Sequence, residues 1–289
     1  MGTKSPSLLG YILILPLVIW IISFLIYPIA LTLYISFTDQ KVIGGTSRFI
    51  GIRNYLELFS DPRTLLSVQN SLIWTLGNLG VLLAGGLVGA LLLNQDFKGK
   101  WFVRTILILP WMIPTTAIAW IWRWILSSEL GIINHWLLEW GLVSEPIPFL
   151  GSTQYAMLSS ILVNSWRFIP INILLIYAAL QMIPSDIYEA ARVDGASFTQ
   201  IFRYIILPYT SRVLAAVTLL SVMWIVNYFD FPWLLTGGGP ALSTETIPIR
   251  LYRLTFQSYD FCKATALSAI LFAALSLFAY IYIRRVRPF

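Results

Sequence analysis

Six apolar stretches, at 8–35, 71–93, 103–126, 155–180, 213–231 and 264–283, constrain this chain more than any motif in it. Roughly 20 helical residues cross the hydrocarbon core of a bilayer. Inside that core every backbone N–H and C=O must find a partner within the protein, and a helix supplies those partners segment by segment. The expectation is an all-α membrane protein with six transmembrane helices, forming a single transmembrane domain over residues 1–289. Composition agrees: 58% of the residues are hydrophobic and only 11% are charged, where a soluble domain carries about one quarter. The first stretch is longer than a span requires, so it should tilt or bend, with Pro16 and Pro28 as the bend points. Its apolar part is also too long for a cleaved signal peptide, and it lacks an A-x-A-like exit.

Several chemistries are poorly served by these residues. The single cysteine, Cys262, gives no internal disulfide and no cysteine metal cluster, and the single histidine, His135, has no ligand neighbour at zinc spacing. No G-x-x-x-x-G-K-[ST] phosphate loop occurs, so no ATP site is expected in this chain. The net charge of +6 reads as loop lysine and arginine flanking membrane spans rather than as a nucleic-acid surface.

Charge also orients the chain. The loop at 94–104 carries Lys98, Lys100 and Arg104, the loop between the fourth and fifth spans carries Arg192, Arg203 and Arg212, and the tail carries Arg284, Arg285 and Arg287. Lys4 falls on the same side. The opposite loop at 127–154 has no lysine or arginine. The positive-inside rule then places both termini in the cytoplasm. The first external loop dissents, with Lys41, Arg48, Arg53 and Arg63, and is outweighed by charge density.

The inward loop at 184–208 has its own pattern. Ser185 is placed to cap a helix whose first turn holds Asp186. Ile187, Ala190, Ala191 and Asp194 follow at i, i+3, i+4 and i+7. Gly195 ends that helix, since glycine takes a left-handed conformation cheaply. Ser197 can cap a second short helix, which Pro208 should end. An interfacial helix would want a basic polar face with bulky apolar residues opposite. This one is acidic and alanine-rich, so docking of a partner protein competes with that plainer reading.

The run Glu189-Ala190-Ala191, then Gly195, then Ile205 and Leu207-Pro208, resembles the EAA loop of permease subunits in binding-protein-dependent ABC importers. Phe49-Ile50-Gly51 with Asn54-Tyr55, the segment Leu235-Thr236-Gly237-Gly238-Gly239-Pro240 with Thr244-Glu245-Thr246, and Tyr259-Asp260-Phe261 with Ala264 extend the resemblance to the sugar-importer branch, of maltose and glycerol-3-phosphate type. The resemblance implies a type I importer permease that pairs with a homologous permease as a heterodimer. Two ATP-binding subunits and an extracytoplasmic solute-binding protein complete the assembly. It also implies that ATP and Mg are held by the ATPase subunits, with no cofactor in this chain. Glu189, Ala190, Ala191, Asp194 and Gly195 would form the contact that couples ATP hydrolysis to transport.

Polar side chains inside spans suggest a solute path, because exposing them to lipid is costly. Ser221, Trp224, Ile225 and Tyr228 share a face of the fifth span. Asn164, Arg167, Phe168 and Ile171 do so on the fourth. Trp111 and Thr115 sit one turn apart on the third, directly after Pro110 and Pro114. The family resemblance implies that these positions line a sugar site, for which hydroxyl partners and flat rings are apt. Each also has a plainer reading: Asn164, Ser221 and Thr115 as helix–helix hydrogen-bond partners, and Arg167 as a partner to a structural acid. Trp120, Trp122 and Trp124 read as interfacial belt. Two rival functions remain. An ion-coupled secondary transporter would need intramembrane acids and matched halves, and a membrane enzyme would need a cluster of reactive side chains.

Overall fold

The computed structural model describes residues 8–42 and 44–286; Lys4 and Arg287, counted above for orientation, lie outside the described residues. The elements, in order, are α1 Gly10–Ser36, α2 Arg53–Ser60, α3 Pro62–Asn94, α4 Lys100–Met112, α5 Thr115–Ile125, α6 Ile132–Glu139, α7 Ala156–Leu180, α8 Ser185–Val193, α9 Phe198–Val226, α10 Asp230–Thr236, α11 Ile247–Tyr252 and α12 Phe261–Val286. An isolated antiparallel bridge joins Thr38 and Phe49. Helices α1, α3, α7, α9 and α12 are each long and apolar enough to cross a membrane. The pair α4 and α5, bent by 92°, makes a sixth when read as one broken span.

Three expectations change here. The third stretch is not one straight helix: Ile113 and Pro114 leave helical geometry, and Pro114 becomes the residue before α5. Proline at 114 removes a donor and crowds the preceding turn, so the chain turns instead of continuing. Pro208, by contrast, does not end a helix. Leu207 donates its N–H to the Phe202 carbonyl, five residues back, and α9 runs on. Tyr27 donates to Ile22 in the same way one residue before Pro28. A widened turn is how a helix absorbs the missing N–H and the ring of a proline. Pro16 lies inside a continuous helical segment. The fifth stretch also stops earlier than expected, at Val226, and Phe231 belongs to the separate helix α10.

The contacts divide into two units. The first comprises residues 1–62 and 251–276. Here α1 is almost wholly exposed, as a lipid-facing helix would be. Its C-terminal carbonyls are captured by the buried Asn54, whose Nδ2 donates to the Ser36 and Thr38 carbonyls at 2.8 Å each. Tyr55 meets Ser36 Oγ at 2.6 Å and its ring packs on Phe37. Gly51 has φ +64, a conformation that suits glycine. The Gly51, Asn54 and Tyr55 signature thus has a local physical reason, the capping of α1. Glu57 bonds both Arg53 and Lys263. Asp260 Oδ1 accepts from the Lys263 N–H and from Cys262 Sγ at the start of α12.

The second unit comprises 63–250 and 277–289. Its core is Trp74, Leu82, Ile118, Met157, Ile161, Ile225, Phe231 and neighbours. Glycines let α3 and α7 approach closely. A Cβ added at Gly77 would meet Ile161 Cδ1 at 2.7 Å, one at Gly85 would meet Ile169 at 3.1 Å, and one at Gly89 would meet Ile173 Cδ1 at 2.4 Å. Small residues spaced by four serve close helix contact in membranes. Across that seam Asn164 Nδ2 and Ser165 Oγ both donate to Asn78 Oδ1, at 2.6 and 3.2 Å. Helix α3 starts at Pro62 rather than near 71 because its first turns are polar for a purpose. Arg63, Ser67 and Asn70 bond the loop after α10, and Ser71 accepts from the first residue of α11.

Candidate functional site

Two places in the second unit gather the residues singled out from the sequence. The first is a cavity of about 500 Å³ between α7 and α9. Seven of the ten solute-path candidates line it: Asn164, Phe168, Ile171, Ser221, Trp224, Ile225 and Tyr228. Their helical spacing brings them together as the 3.6-residue period requires. Trp224 is 64% exposed, so one wall presents a flat ring. Asn164 Oδ1 and Asn172 Oδ1 are buried and have no hydrogen-bond partner among the described residues. Asn172 was missed by the sequence reading, although it lies two turns beyond Asn164 and one turn beyond Phe168 on the same face. Extending the stripe by another turn finds it. Asn227 also lines the cavity.

The other three candidates stand apart from this lining. Trp111 sits on α4, before the break, and is exposed. Thr115 opens α5, after the break, so the two do not share a helical face. Arg167 is buried and faces neither an acid nor the cavity. Its Nη1 donates to Thr115 Oγ1 at 2.8 Å and to Tyr228 OH at 2.7 Å, and its Nη2 to the Ile113 carbonyl at 3.3 Å. One guanidinium therefore ties the broken span to α7 and to Tyr228, two residues beyond α9. A planar fork with five donors suits that task. Where the sequence suggested an acid as its plainer partner, Arg167 meets three neutral oxygens. The tryptophan trio also divides: Trp120 and Trp124 are exposed, while Trp122 packs edge-on against Trp166 at 5.4 Å.

The second place is α8 with the turn that follows it. Pro184 precedes the helix and Ser185 is its first residue. Ser185 makes no cap; its hydroxyl turns to Asp186 instead. The far end forms as the sequence indicates. Gly195 has φ +73, its N–H donates to Arg192, and the Ala196 N–H donates to Ala191, the paired bonds of a left-handed helix stop. Ser197 and Gln200 then close a reciprocal cap on α9. Ile187 and Ala191 are half-buried, whereas Glu189, Ala190, Asp194 and Gly195 are exposed and Val193 is 87% exposed. Tyr188 packs with Ile201 and Phe202 against Ile176, Leu180 and Ile206, and burial pushes its hydroxyl above the usual tyrosine range. The helix is thus seated on one side and bare on the other. Glu189 makes no ion pair or side-chain hydrogen bond among the described residues and borders a cleft of about 630 Å³ with Arg192 and Asp96.

Residues 79–289 match the family described as binding-protein-dependent transport system inner membrane component. The chain belongs to that family. It is a multi-pass permease component of an ABC transport system. It is 33% identical over 279 residues to the trehalose/maltose transport system permease protein MalF of Thermococcus litoralis, covering 96% of this chain and 92% of that one. Identity to the sn-glycerol-3-phosphate transport system permease protein UgpA of Yersinia pestis is 32% over 270 residues, covering 92% and 90%. The fold matches a chain of a bacterial ABC transporter involved in the import of the acidic polysaccharide alginate. The TM-score is 0.84 and the identity 25%, over 96% of this chain and 95% of that one. A second structure of a bacterial alginate ABC transporter, in complex with alginate pentasaccharide-bound periplasmic protein, matches with TM-score 0.82 and 26% identity over 96% and 94%.

Proposed function

We propose that this permease forms half of the translocation path of an ATP-driven sugar importer, with the cavity between α7 and α9 as its share of the solute site. The observation that carries this reading is the gathering of seven candidate residues, an exposed indole among them, around one cavity. Rings that stack on a sugar face and amides that bond its hydroxyls are the chemistry such a solute needs. A homologous permease as heterodimer partner would supply the rest of the lining. The relatives' names support sugar as the class, and the alginate complex supports delivery by an extracytoplasmic binding protein. In this reading both termini lie in the cytoplasm, with α8 on the same side. There Glu189, Ala190, Ala191, Asp194 and Gly195 would meet one of two ATPase subunits that bind ATP and Mg. A seated element with a bare face can pass rigid-body motion from one subunit to another.

A second reading, import of an acidic sugar or phosphorylated polyol, is favoured by the alginate and glycerol-3-phosphate likenesses. Against it, the cavity lining holds no lysine or arginine, and Arg167 is committed to neutral oxygens. A neutral solute fits this half of the path better. Substrate-stimulated ATP hydrolysis in the assembled importer, with its cognate binding protein, tests the proposal. Trp224→Ala should raise the solute concentration needed for half-stimulation while unstimulated hydrolysis stays level. An unchanged half-stimulation point in both Trp224→Ala and Ser221→Ala would reject the cavity as solute site.

A further inference from the structure

Two cations at the start of α4 converge on one aromatic ring with no acid to balance them. Lys100 Nζ lies 5.4 Å and Arg104 Cζ 4.4 Å from the centre of the Tyr177 ring on α7. Arg104 Nη2 also donates to the Tyr177 hydroxyl. Neither cation forms an ion pair among the described residues. Like charges four apart on a helix repel, and the electron-rich ring face offsets only part of that. Arg104 Nε is buried and has no hydrogen-bond partner among the described residues, a costly state for a charged donor. Lys98 adds a third positive charge two residues before Lys100. The loop's acid, Asp96, is exposed and borders the α8 cleft.

The surroundings say what kind of anion suits this cluster. Trp101 and Phe102, between the two cations in sequence, are 73% and 55% exposed, and Phe97 and Ile106 are exposed as well. Basic residues beside bare aromatic ones are the pattern of a helix lying in the headgroup region. A soluble anion would have no use for that apolar flank, whereas a phospholipid presents a phosphate and a hydrocarbon margin together.

We propose that Lys100 and Arg104, backed by Tyr177 and assisted by Lys98, bind the phosphate of an anionic phospholipid headgroup, with Trp101 and Phe102 resting against its glycerol and upper acyl region. The lipid would hold the first half of the broken span against the inward leaflet. This rests on the inward orientation given under the proposed function, which is tested apart from it: labelling of Lys98 in intact cells reports the side, while lipid binding in detergent does not depend on it.

The test uses the purified full-length chain in detergent, with phosphatidylglycerol and phosphatidylcholine as probes and retained lipid read by native mass spectrometry. Wild type should retain phosphatidylglycerol in preference to phosphatidylcholine. Lys100→Gln and Arg104→Gln should each weaken that retention by about fivefold, the effect of one cation near an anionic surface. Lys41→Gln, a change of equal charge in the first external loop, should leave it unchanged. The Lys100 side chain makes no hydrogen bond among the described residues, so its variant keeps the test open if Arg104→Gln fails to fold. Equal retention by wild type and Lys100→Gln would overturn the proposal, as would displacement of phosphatidylglycerol by inorganic phosphate, which would mark a site for a free anion.

Discussion

Two loops of the second unit spend their charged residues in opposite ways. In the loop between α10 and α11, Glu245 is fully buried. Arg63 Nε and Nη2 reach its two oxygens at 2.9 and 2.7 Å, and Ser67 Oγ reaches it at 3.3 Å. Asn70 donates to the Leu242 and Glu245 carbonyls, and Ser71 Oγ accepts from the Ile247 N–H. The loop of α8, by contrast, leaves Glu189 and Asp194 exposed. Both segments carry family signatures, yet one signature is consumed in holding its own loop on α3 while the acids of the other stay exposed. A charged motif therefore says little about function until its partners are known; a buried, bonded carboxylate is architecture and a bare one on a seated helix is an offer.

The comparison can be broken most easily at Glu245. Glu245→Ala should destabilise the purified chain by about 3–5 kcal/mol, the cost of breaking one side of a buried ion pair, read as a lowered unfolding midpoint in detergent. Loss of transport without loss of stability would show that this loop is not architectural. Glu189→Lys should do the reverse: stability stays within about 0.5 kcal/mol, as for a surface change, while transport by the assembled importer falls about tenfold or more and ATP hydrolysis uncouples from it. Gly195→Pro should uncouple in the same way, because it removes the N–H bonded to Arg192 and cannot adopt φ +73. Full transport by both variants would reject the coupling role.

Arg167→Lys sharpens a third point, since a point charge cannot hold three oxygens as the guanidinium fork does. It should cost about 1–3 kcal/mol of stability and shift the half-stimulation point little, because Arg167 lies outside the cavity lining. A shift as large as that of Trp224→Ala would return Arg167 to the solute path. The smallest effect belongs to Glu57. Its bonds to Lys263 first and Arg53 second hold its carboxyl below the usual range, so the stability it adds is present at neutral pH and is lost as pH falls through that lowered value. Glu57→Gln should flatten the acid limb of the unfolding profile slightly, and an unaltered limb would show the pair to be idle.

The sequence by itself determined the class of solvent, the set of apolar helices and the stop at Gly195, because these follow from composition, length and local backbone preference. It also carried the stripe of Asn164, Phe168, Ile171, Ser221, Trp224, Ile225 and Tyr228, since side chains at helical spacing share a face wherever the helix goes. Only the tertiary structure decided the rest. Pro114 breaks its span while Pro208 is absorbed in a wide turn, and the two look alike in one dimension because the outcome depends on what packs around the freed carbonyls. Arg167 went to Ile113, Thr115 and Tyr228, and Arg63 to Glu245, because such partners lie far apart along the chain and local periodicity carries no record of which distant oxygen a buried cation will meet.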